Sequence, residues 1–271
     1  MTKGLKIGAL IPARLGSKRL PGKHLKVIAD KPVIHHLIDR LAACRHIRDA
    51  GDIVVCVTED PSDDPLVPVV EETGASVFRG SRDDIIRRFH DALAEHEFDF
   101  VVQANGDNLL TDPEYMNAGI DALLEDPKID VTTCSGLPLG ISSTCFTRSA
   151  MDKVMAAYRT ERNDTGYTLF FTRTGLCQHL EIPPISPEHV MDEARLTLDY
   201  PEDLKVMDLI FTALYREGEV FGLSAVLNFL RRAPTVAQIN GVLSAEYEQR
   251  TRDLLDLTYQ GPEGSITRIE Y

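Results

Sequence analysis

Short apolar runs alternate with amphipathic helical patterns along the first half of the chain, and this alternation constrains the fold more than any other feature. The apolar, β-branched runs predict buried strands at 7–11, 53–57, 75–79, 98–103 and 129–134. Apolar residues at helical spacing predict helices at 33–44, about 66–73, after 81–84 and at 112–125. Strands that alternate with helices imply right-handed crossovers, and so an α/β fold with a mostly parallel, doubly wound sheet.

The loops that follow these strands indicate where a ligand would bind. In such sheets, ligands lie beyond the carboxyl ends of the strands. The predicted strand ends lead into loops at 12–24, 58–64, 79–84 and 104–108. We therefore expect these four loops to gather at one edge of the sheet. Ser81 or Asp83 is expected to cap the helix that follows the third loop.

The first of these loops, Pro12 to Lys23, is basic and contains two glycines. Pro12 ends the strand because proline has no N–H to donate to a ladder. The loop carries four cations, which repel one another unless an anion lies among them: Arg14, Lys18, Arg19 and Lys23. Gly16 and Gly22 allow the backbone to approach a ligand and point N–H groups at it. A buried strand followed by such a loop is typical of nucleoside triphosphate sites, although a solvated basic loop remains the alternative.

Two common phosphate-binding motifs are excluded. A Walker loop has four residues between its glycines and then Lys-Ser/Thr, whereas five residues separate Gly16 from Gly22 and His24 follows Lys23. The loop is not G-x-G-x-x-G either, so a dinucleotide-dependent dehydrogenase loses its main support.

Length and charge limit the class of protein. The chain has 271 residues and a formal net charge of −13, which argues against nucleic acid or an acidic membrane as the main partner. One domain over 1–258 with a loose C-terminal tail at 259–271 suits this length. The five scattered cysteines form no C-x-x-C pair and predict buried free thiols in a reducing compartment. With no apolar stretch long enough to span a bilayer, we expect a cytoplasmic protein.

The alternation breaks down between residues 137 and 190. This segment holds a strand-like run at 144–146, a helical pattern at 149–158 and an aromatic run at 167–171. We interpret it as an insertion that caps the pocket and contributes a dimer contact, with an irregular insertion of no contact role as the alternative. A strand is expected again at 195–198, and helices at 201–217, 223–232 and about 244–256.

The string Ile-Pro-Ala-Arg-x-Gly-Ser-x-Arg-Leu-Pro-Gly-Lys, residues 11–23, resembles the N-terminal signature of the cytidylyltransferases that make CMP-activated sugars. The pattern is similar to KDO and acylneuraminate synthetases and most similar to the spore-coat polysaccharide type. The resemblance implies a nucleotide-diphospho-sugar transferase-like fold, CTP and Mg²⁺ as substrate and cofactor, and a homodimer.

Two carboxylates at strand ends are candidate Mg²⁺ ligands, because this ion is commonly bound through one or two carboxylates and the phosphates themselves. Asp107 lies in Asn-Gly-Asp-Asn, where the resembled enzymes carry a metal-binding Gly-Asp. Asp199 lies in Leu-Asp-Tyr-Pro-Glu-Asp-Leu, which is similar to the family's second metal-site motif apart from Tyr200, where Thr is usual. An ordinary Asx turn at Asp107 and a helix N-cap at Asp199 are the alternatives.

The resemblance also assigns the remaining site residues. It gives catalytic roles to Arg14 and Lys23, which match the phosphate-contacting cations, beside Asp107 and Asp199. The residues expected to bind nucleotide are Pro12, Ala13, Arg14, Gly16, Arg19, Lys23, Thr58, Ser81, Asn105 and Gly106. Gly106 is expected to give the backbone room for the nucleotide.

The acceptor side departs from the family pattern. The acidic positions of the spore-coat motif have become Ser142 and Thr144, and Asn163-Asp164-Thr165-Gly166 replaces the usual Arg-Glu-His. The loss of acids near the pocket favours an anionic acceptor, such as an acidic sugar, a phosphate or a phosphonate. We therefore predict a Mg²⁺-dependent transfer of CMP from CTP to an anionic acceptor, with release of pyrophosphate. The alternatives are the same fold with UTP, GTP or ATP, and a non-catalytic relative that binds nucleotide.

Overall fold

A seven-stranded sheet forms the centre of the molecule in the computed structural model, which describes residues 4–160, 162–261 and 263–269. The strands follow the order β5-β4-β1-β6-β8-β7-β9 across the sheet. Only β8 runs antiparallel to its neighbours, so the mostly parallel α/β sheet expected from the sequence is confirmed. The seven strands are β1 (Ile7–Pro12), β4 (Ile53–Thr58), β5 (Ser76–Gly80), β6 (Phe100–Gln103), β7 (Val131–Cys134), β8 (Thr144–Thr147) and β9 (His179–Ile182).

Two small antiparallel pairs lie outside this sheet. The short strands β2 (Val27–Ile28) and β3 (Lys31–Pro32) precede the first helix. The strands β10 (Thr258–Gln260) and β11 (Ile266–Arg268) form a hairpin near the C-terminus.

Helices cover both faces of the sheet. They are α1 (Val33–Ala42), α2 (Leu66–Glu71), α3 (Ile85–Glu95), α4 (Pro113–Glu125), α5 (Arg148–Ala157), α6 (Leu169–Thr172), α7 (Pro201–Leu214), α8 (Leu223–Arg232), α9 (Pro234–Gly241) and α10 (Ser244–Leu254). One apolar cluster packs α1, α2, α4 and α7–α9 against one face, and a second packs α3, α5 and α6 against the other. A strand covered on both faces must be apolar throughout, which explains why every residue of β4 is buried.

The parallel arrangement brings the predicted loops together. Because β1, β4, β5 and β6 are mutually parallel, their carboxyl ends meet at one edge. Backbone hydrogen bonds from Glu59 N–H to Gly80 O and from Ala13 N–H to Cys56 O join neighbouring strand ends. The expectation that these loops gather at one edge is confirmed.

The helix after β5 has a different cap from the one expected. Asp84, rather than Ser81 or Asp83, is the N-cap of α3, and its carboxylate accepts a hydrogen bond from Arg87 N–H. Ser81 Oγ instead accepts from Asp84 N–H.

Two other expectations from the sequence are wrong. Residues 195–198 are extended but form no strand, because their hydrogen bonds run singly to Leu139 O and Asp107 O. The C-terminal tail expected to be loose contains the hairpin β10–β11, which follows the buried Leu255 and Leu257 and precedes the buried Ile269. Residues 262, 270 and 271 of that tail lie outside the described residues.

The segment 137–190 is part of the central sheet rather than a separate cap. It supplies β8, which pairs with β6 and β7, and β9, which pairs with β7 at the edge of the sheet. It also lines a pocket beside the strand ends, and its expected role in capping that pocket stays a prediction. Its dimer contact stays a prediction.

All five cysteines are free; four are buried as predicted, whereas Cys134 is half-buried. None of the helices in the described part of the chain is long and apolar enough to cross a membrane.

Candidate active site

Lys23 lies between the two predicted carboxylates. Its Nζ atom is 3.3 Å from Asp107 Oδ2 and 3.2 Å from Asp199 Oδ1, and it also donates to Leu198 O at 3.0 Å. The structure thus brings Lys23 into contact with two carboxylates that lie 84 and 176 positions after it along the chain. Neither alternative for the carboxylates is realised. The Asp107 carboxylate forms an ion pair with Lys23, and the N-cap of α7 is Tyr200 rather than Asp199.

Arg19 reaches the same carboxylate from the other side. Its Nη2 donates to Asp199 Oδ1 at 2.8 Å, and its Nη1 donates to the Tyr200 hydroxyl at 3.1 Å. The guanidinium also lies over the Tyr200 ring, 4.6 Å from the centroid, which favours one orientation of the side chain. The position where the family usually has Thr therefore supplies a platform for Arg19.

Close backbone packing holds the Asp107 loop in place. A Cβ atom on Gly106 would lie 2.4 Å from Pro12 O and 2.7 Å from His24 Cε1, so only glycine fits. Leu198 N–H donates to Asp107 O at 2.8 Å and links this loop to the segment that carries Asp199. Gly106 therefore has a packing role against β1, and its expected role in nucleotide binding stays a prediction.

His24 is neutral in this environment. Burial and the neighbouring Lys23 ammonium lower the pKa of the imidazole to about 3. Its Nδ1 atom is buried and has no hydrogen-bond partner among the described residues. A second positive charge beside Lys23 is therefore avoided.

The basic loop leaves a row of backbone donors free. Ala13 N–H donates to Cys56 O and Leu15 N–H to Asp63 Oδ1, so these two groups are satisfied within the protein. Within the described residues, the N–H groups of residues 16–19 make no hydrogen bond to the protein. A Cβ on Gly16 would meet nothing within 4 Å, which places this glycine beside open space. Consecutive free N–H groups are typical of an anion-binding loop.

Arg14 pairs with a different carboxylate from Arg19 and Lys23, and its predicted phosphate contact stays a prediction. Its Nη2 forms an ion pair with Asp164 Oδ2 at 3.0 Å, and the Arg14 side chain is 44% exposed. The pair connects the basic loop to the part of the chain where the family's Arg-Glu-His is missing. Asn163 beside it caps α3, because its Oδ1 accepts from Ile85 N–H and Ile86 N–H.

Two predicted nucleotide contacts are used inside the protein. The Thr58 hydroxyl is buried and donates to Asp63 Oδ2, and Thr58 N–H donates to the same oxygen at 3.2 Å. Ser81 Oγ is engaged with Asp84 N–H. The Thr58 hydroxyl therefore has no proton left to donate to a nucleotide, whereas the Ser81 hydroxyl only accepts and keeps its proton. Nucleotide binding by these two residues stays a prediction. Asp63 was not predicted as a site residue, and its only signal in the sequence is its place in the acidic loop at 58–64.

Asn105 faces a pocket of ≈ 610 Å³ beside the carboxylates. Its Oδ1 accepts from Gln103 Nε2 at 3.0 Å and from the buried Tyr167 hydroxyl at 2.7 Å, which leaves its amide N–H₂ free to donate. The pocket is lined by Gln103, Asn105, Asn108, Thr133, Leu137, Pro138, Leu139, Gly140, Ser142, Ser143, Thr144, Thr168, Leu169, Thr172, Arg173, His179 and Glu181. Asn105 and Asn108 flank Asp107, so the pocket adjoins the charged site.

The carboxylate pair fits a magnesium ion. Asp107 Oδ2 and Asp199 Oδ1 lie 3.3 and 3.2 Å from the same ammonium nitrogen, so both side chains would have to shift by about 1 Å to bind Mg²⁺ at that position. Asp199 Oδ2 is also buried without a hydrogen-bond partner among the described residues. Within 4–160, 162–261 and 263–269, no three His, Cys, Asp or Glu side chains converge as a metal cluster. Two carboxylates suffice for Mg²⁺, which keeps waters and takes phosphate oxygens as further ligands.

Comparisons with known proteins agree with this arrangement. A cytidylyltransferase family profile matches residues 8–178. The spore coat polysaccharide biosynthesis protein SpsF of Bacillus subtilis is 26% identical over 235 residues, which cover 84% of this chain and 95% of that protein. A 3-deoxy-manno-octulosonate cytidylyltransferase of Yersinia pseudotuberculosis is 31% identical over 170 residues, 61% of each chain.

A solved structure extends the likeness to most of the chain. A cytidylyltransferase from Leptospira borgpetersenii superposes with a TM-score of 0.77 at 27% identity, over 86% of this chain and 97% of that one. The resemblance found in the basic loop is thereby confirmed. This chain belongs to the cytidylyltransferase family and is a CTP-dependent nucleotidyltransferase.

Proposed function

We propose that the protein transfers CMP from CTP to a small anionic acceptor, with Mg²⁺ as cofactor and pyrophosphate as the second product. The observation that carries this proposal is the position of the Lys23 ammonium between Asp107 and Asp199, beside a loop with four consecutive free N–H groups. Triphosphate charge, a metal ion and a basic side chain can meet at this position.

The proposed reaction is an in-line displacement at the α-phosphorus of CTP. An acceptor oxygen forms a bond to that phosphorus while the bond to the oxygen that bridges the α- and β-phosphates breaks. Pyrophosphate leaves with the bonding electrons, and a hydroxyl acceptor releases its proton to solvent. No protein nucleophile is required, because positioning and charge neutralisation supply most of the catalysis in phosphoryl transfer.

This chain's residues would divide that work. Bound Mg²⁺ would neutralise phosphate charge, and Asp107 and Asp199 would hold it. Lys23 and Arg19 would contact the phosphates, because ion pairs with Asp199 hold both cations at the proposed metal site. The free N–H groups of residues 16–19 would donate to phosphate oxygens, as backbone groups do in other anion-binding loops.

The pocket beside Asp107 is the proposed acceptor site. Ser142 and Thr144, which stand where the spore-coat type has acids, both line it. Arg173 lines it as well, and its guanidinium forms no ion pair within the described residues. These hydroxyls, the amides and the Arg173 cation suit an acceptor that carries hydroxyl groups and a negative charge, whereas the Glu181 carboxylate in the same lining opposes that charge.

The experiment is pyrophosphate release with each of the four nucleoside triphosphates, Mg²⁺ and a panel of acidic sugars, sugar phosphates, phosphonates and neutral sugars. We expect release only with CTP and an anionic acceptor, and loss of release in Asp107→Ala. An Arg173→Gln variant should raise the KM for the acceptor and leave the KM for CTP unchanged. Exclusive use of a neutral acceptor, or of another triphosphate, would contradict the proposal.

The proposal also covers the pathway that would use the product and the oligomeric state of the protein. The name of the Bacillus relative places that protein in spore coat polysaccharide biosynthesis. We propose that the CMP-activated product of this chain also supplies the assembly of a polysaccharide, in the cytoplasm. A homodimer is proposed too, and light scattering on the purified protein tests it, since a monomeric mass would contradict it.

A further inference from the structure

The Asp199 carboxylate has one oxygen that no hydrogen bond directs. Oδ1 accepts from Arg19 and Lys23, whereas the buried Oδ2 has no hydrogen-bond partner among the described residues. The Arg195 guanidinium lies 3.8 Å from Oδ2, which is beyond hydrogen-bond distance. The lone pairs of Oδ2 are therefore open to a cation, and something else must set the direction of this side chain.

Asp203 fixes the backbone of Asp199. Its Oδ2 accepts from Asp199 N–H at 2.8 Å and from Tyr200 N–H at 2.9 Å. An acidic residue in the first turn of a helix commonly accepts from the N–H just before the helix. Here the Asp203 carboxylate also accepts from the N–H of the preceding residue, Asp199, and so restrains the backbone of the candidate metal ligand.

Asp203 is itself held by two residues from different elements. Arg195 Nε and Nη2 donate to its two oxygens at 2.9 and 3.1 Å, and Asn240 Nδ2 donates to Oδ1 at 2.9 Å. The same Asn240 nitrogen donates to Arg195 O at 2.9 Å. The rings of Tyr200 and Tyr247 lie 5.5 and 4.7 Å from the guanidinium and restrict its plane.

Stability alone does not explain this network. Arg195 and Asp203 are both 0% exposed, and an ion pair this deeply buried costs desolvation that apolar residues of similar volume would avoid. A bidentate pair does, however, fix the relative position of its partners to within narrow limits. The network ends at the Asp199 carboxylate, which accepts from both Arg19 and Lys23 of the basic loop.

We infer that Arg195, Asp203 and Asn240 form a positioning unit that aims the Asp199 carboxylate at the metal ion. These residues touch neither nucleotide nor acceptor; they act through Asp199. The inference rests on the proposed function, in which Asp199 holds Mg²⁺. All three residues lie beyond the part of the chain that the family profile covers.

The test measures metal affinity rather than turnover. Mn²⁺ is titrated into the protein with bound CTP and no acceptor, and free Mn²⁺ is followed by electron paramagnetic resonance. We expect Asp203→Asn to raise the Kd for Mn²⁺ by about 10- to 100-fold, the usual effect of losing a group that orients a metal ligand. CTP affinity without metal should stay within about twofold.

Asp130→Asn is the matched control. Asp130 is also a buried acid that accepts from a cation, Lys153, and from a backbone N–H, that of Gln178, but at the start of β7. We expect this variant to lower the free energy of unfolding and to leave the Kd for Mn²⁺ unchanged. If Asp203→Asn fails to fold, Asn240→Leu removes one support of Asp203 and should raise the Kd by at least about threefold.

The outcomes separate this inference from the proposed function. A wild-type Mn²⁺ site that Asp199→Asn abolishes, but that Asp203→Asn and Asn240→Leu leave unchanged, would overturn the positioning role alone. A wild-type protein that binds CTP but no Mn²⁺ would overturn both the metal role and the inference.

Discussion

The replacement of Lys23 by methionine tests the charge balance of the site most directly. Lys23→Met keeps most of the apolar stem and removes the ammonium that lies 3.3 Å from Asp107 and 3.2 Å from Asp199. The side chains of Lys23 and Asp199 are only 11% and 4% exposed, so little water can replace the lost contact. Asp107 would then lose the ammonium that pairs with it, whereas Asp199 would keep its ion pair with Arg19.

The structure allows the magnitude to be worked out. Removal of one partner of a buried ion pair costs about 3–5 kcal/mol, and we expect the lower end, about 3 kcal/mol, because Asp107 is partly exposed. A divalent cation can take the vacated position, since both carboxylates point at it. At 100 times its Kd, that cation would restore about 2.7 kcal/mol. In the wild type the cation must first displace Lys23, so its stabilisation should be smaller.

Urea denaturation with EDTA and with saturating Mg²⁺ measures both quantities. We expect Lys23→Met to be less stable than the wild type in EDTA and to gain more from Mg²⁺. Pyrophosphate release should fall by about 100-fold or more, because a phosphate-neutralising charge is lost. Lys18→Met is the control, since Lys18 lies exposed in the same loop. Equal stability of Lys23→Met and Lys18→Met in EDTA, or an equal gain from Mg²⁺, would refute the reasoning.

Three further predictions concern the surroundings of the site. The pKa of His24 is about 3 in the folded state and near 6.5 in the unfolded state, so the free energy of unfolding falls as pH falls below about 6.5. Between pH 7 and pH 5, the wild type should therefore lose about 2 kcal/mol more of its free energy of unfolding than His24→Asn. Equal losses in the two proteins would contradict this. Gly106→Ala should lower the free energy of unfolding by about 1–3 kcal/mol, whereas Gly16→Ala should change it by under about 0.5 kcal/mol. Equal thermal unfolding midpoints for the two variants would disprove the packing role of Gly106. Tyr200→Phe removes the hydroxyl that accepts from Arg19 and should raise the KM for CTP several-fold; an unchanged KM would show that the ring alone orients Arg19.

The sheet and its loop edge could be predicted because their signal is local and repeated. The strands β1 and β4 are apolar throughout, and only a parallel sheet covered on both faces demands such runs. Once the strands are parallel, topology alone places the loops that follow them at one edge. The meeting of Lys23 with Asp107 follows from this geometry and needs no knowledge of side-chain contacts.

The partners of individual polar groups could not be predicted in the same way. Thr58 follows a predicted strand at the correct edge, yet its hydroxyl turns inward to Asp63, five residues on. Residues 195–198 have the alternation of a strand, but their N–H groups pair with single carbonyls rather than with a neighbouring ladder. Apolar periodicity reports which face of a segment is buried, and it carries no information on which of several nearby acceptors a donor selects.

The division between the family match and the rest of the chain has a physical consequence. The basic loop and Asp107 lie within residues 8–178, whereas Asp199, Tyr200 and their supports lie outside. Yet Lys23 and Arg19 both donate to the Asp199 carboxylate, and Asp107 O accepts from Leu198 N–H. A chain cut at the end of the match would keep the basic loop but would leave Arg19 and Lys23 without the carboxylate that they share. The carboxylate pair is therefore completed only when α7 and the extended segment before it fold back onto β1 and β6.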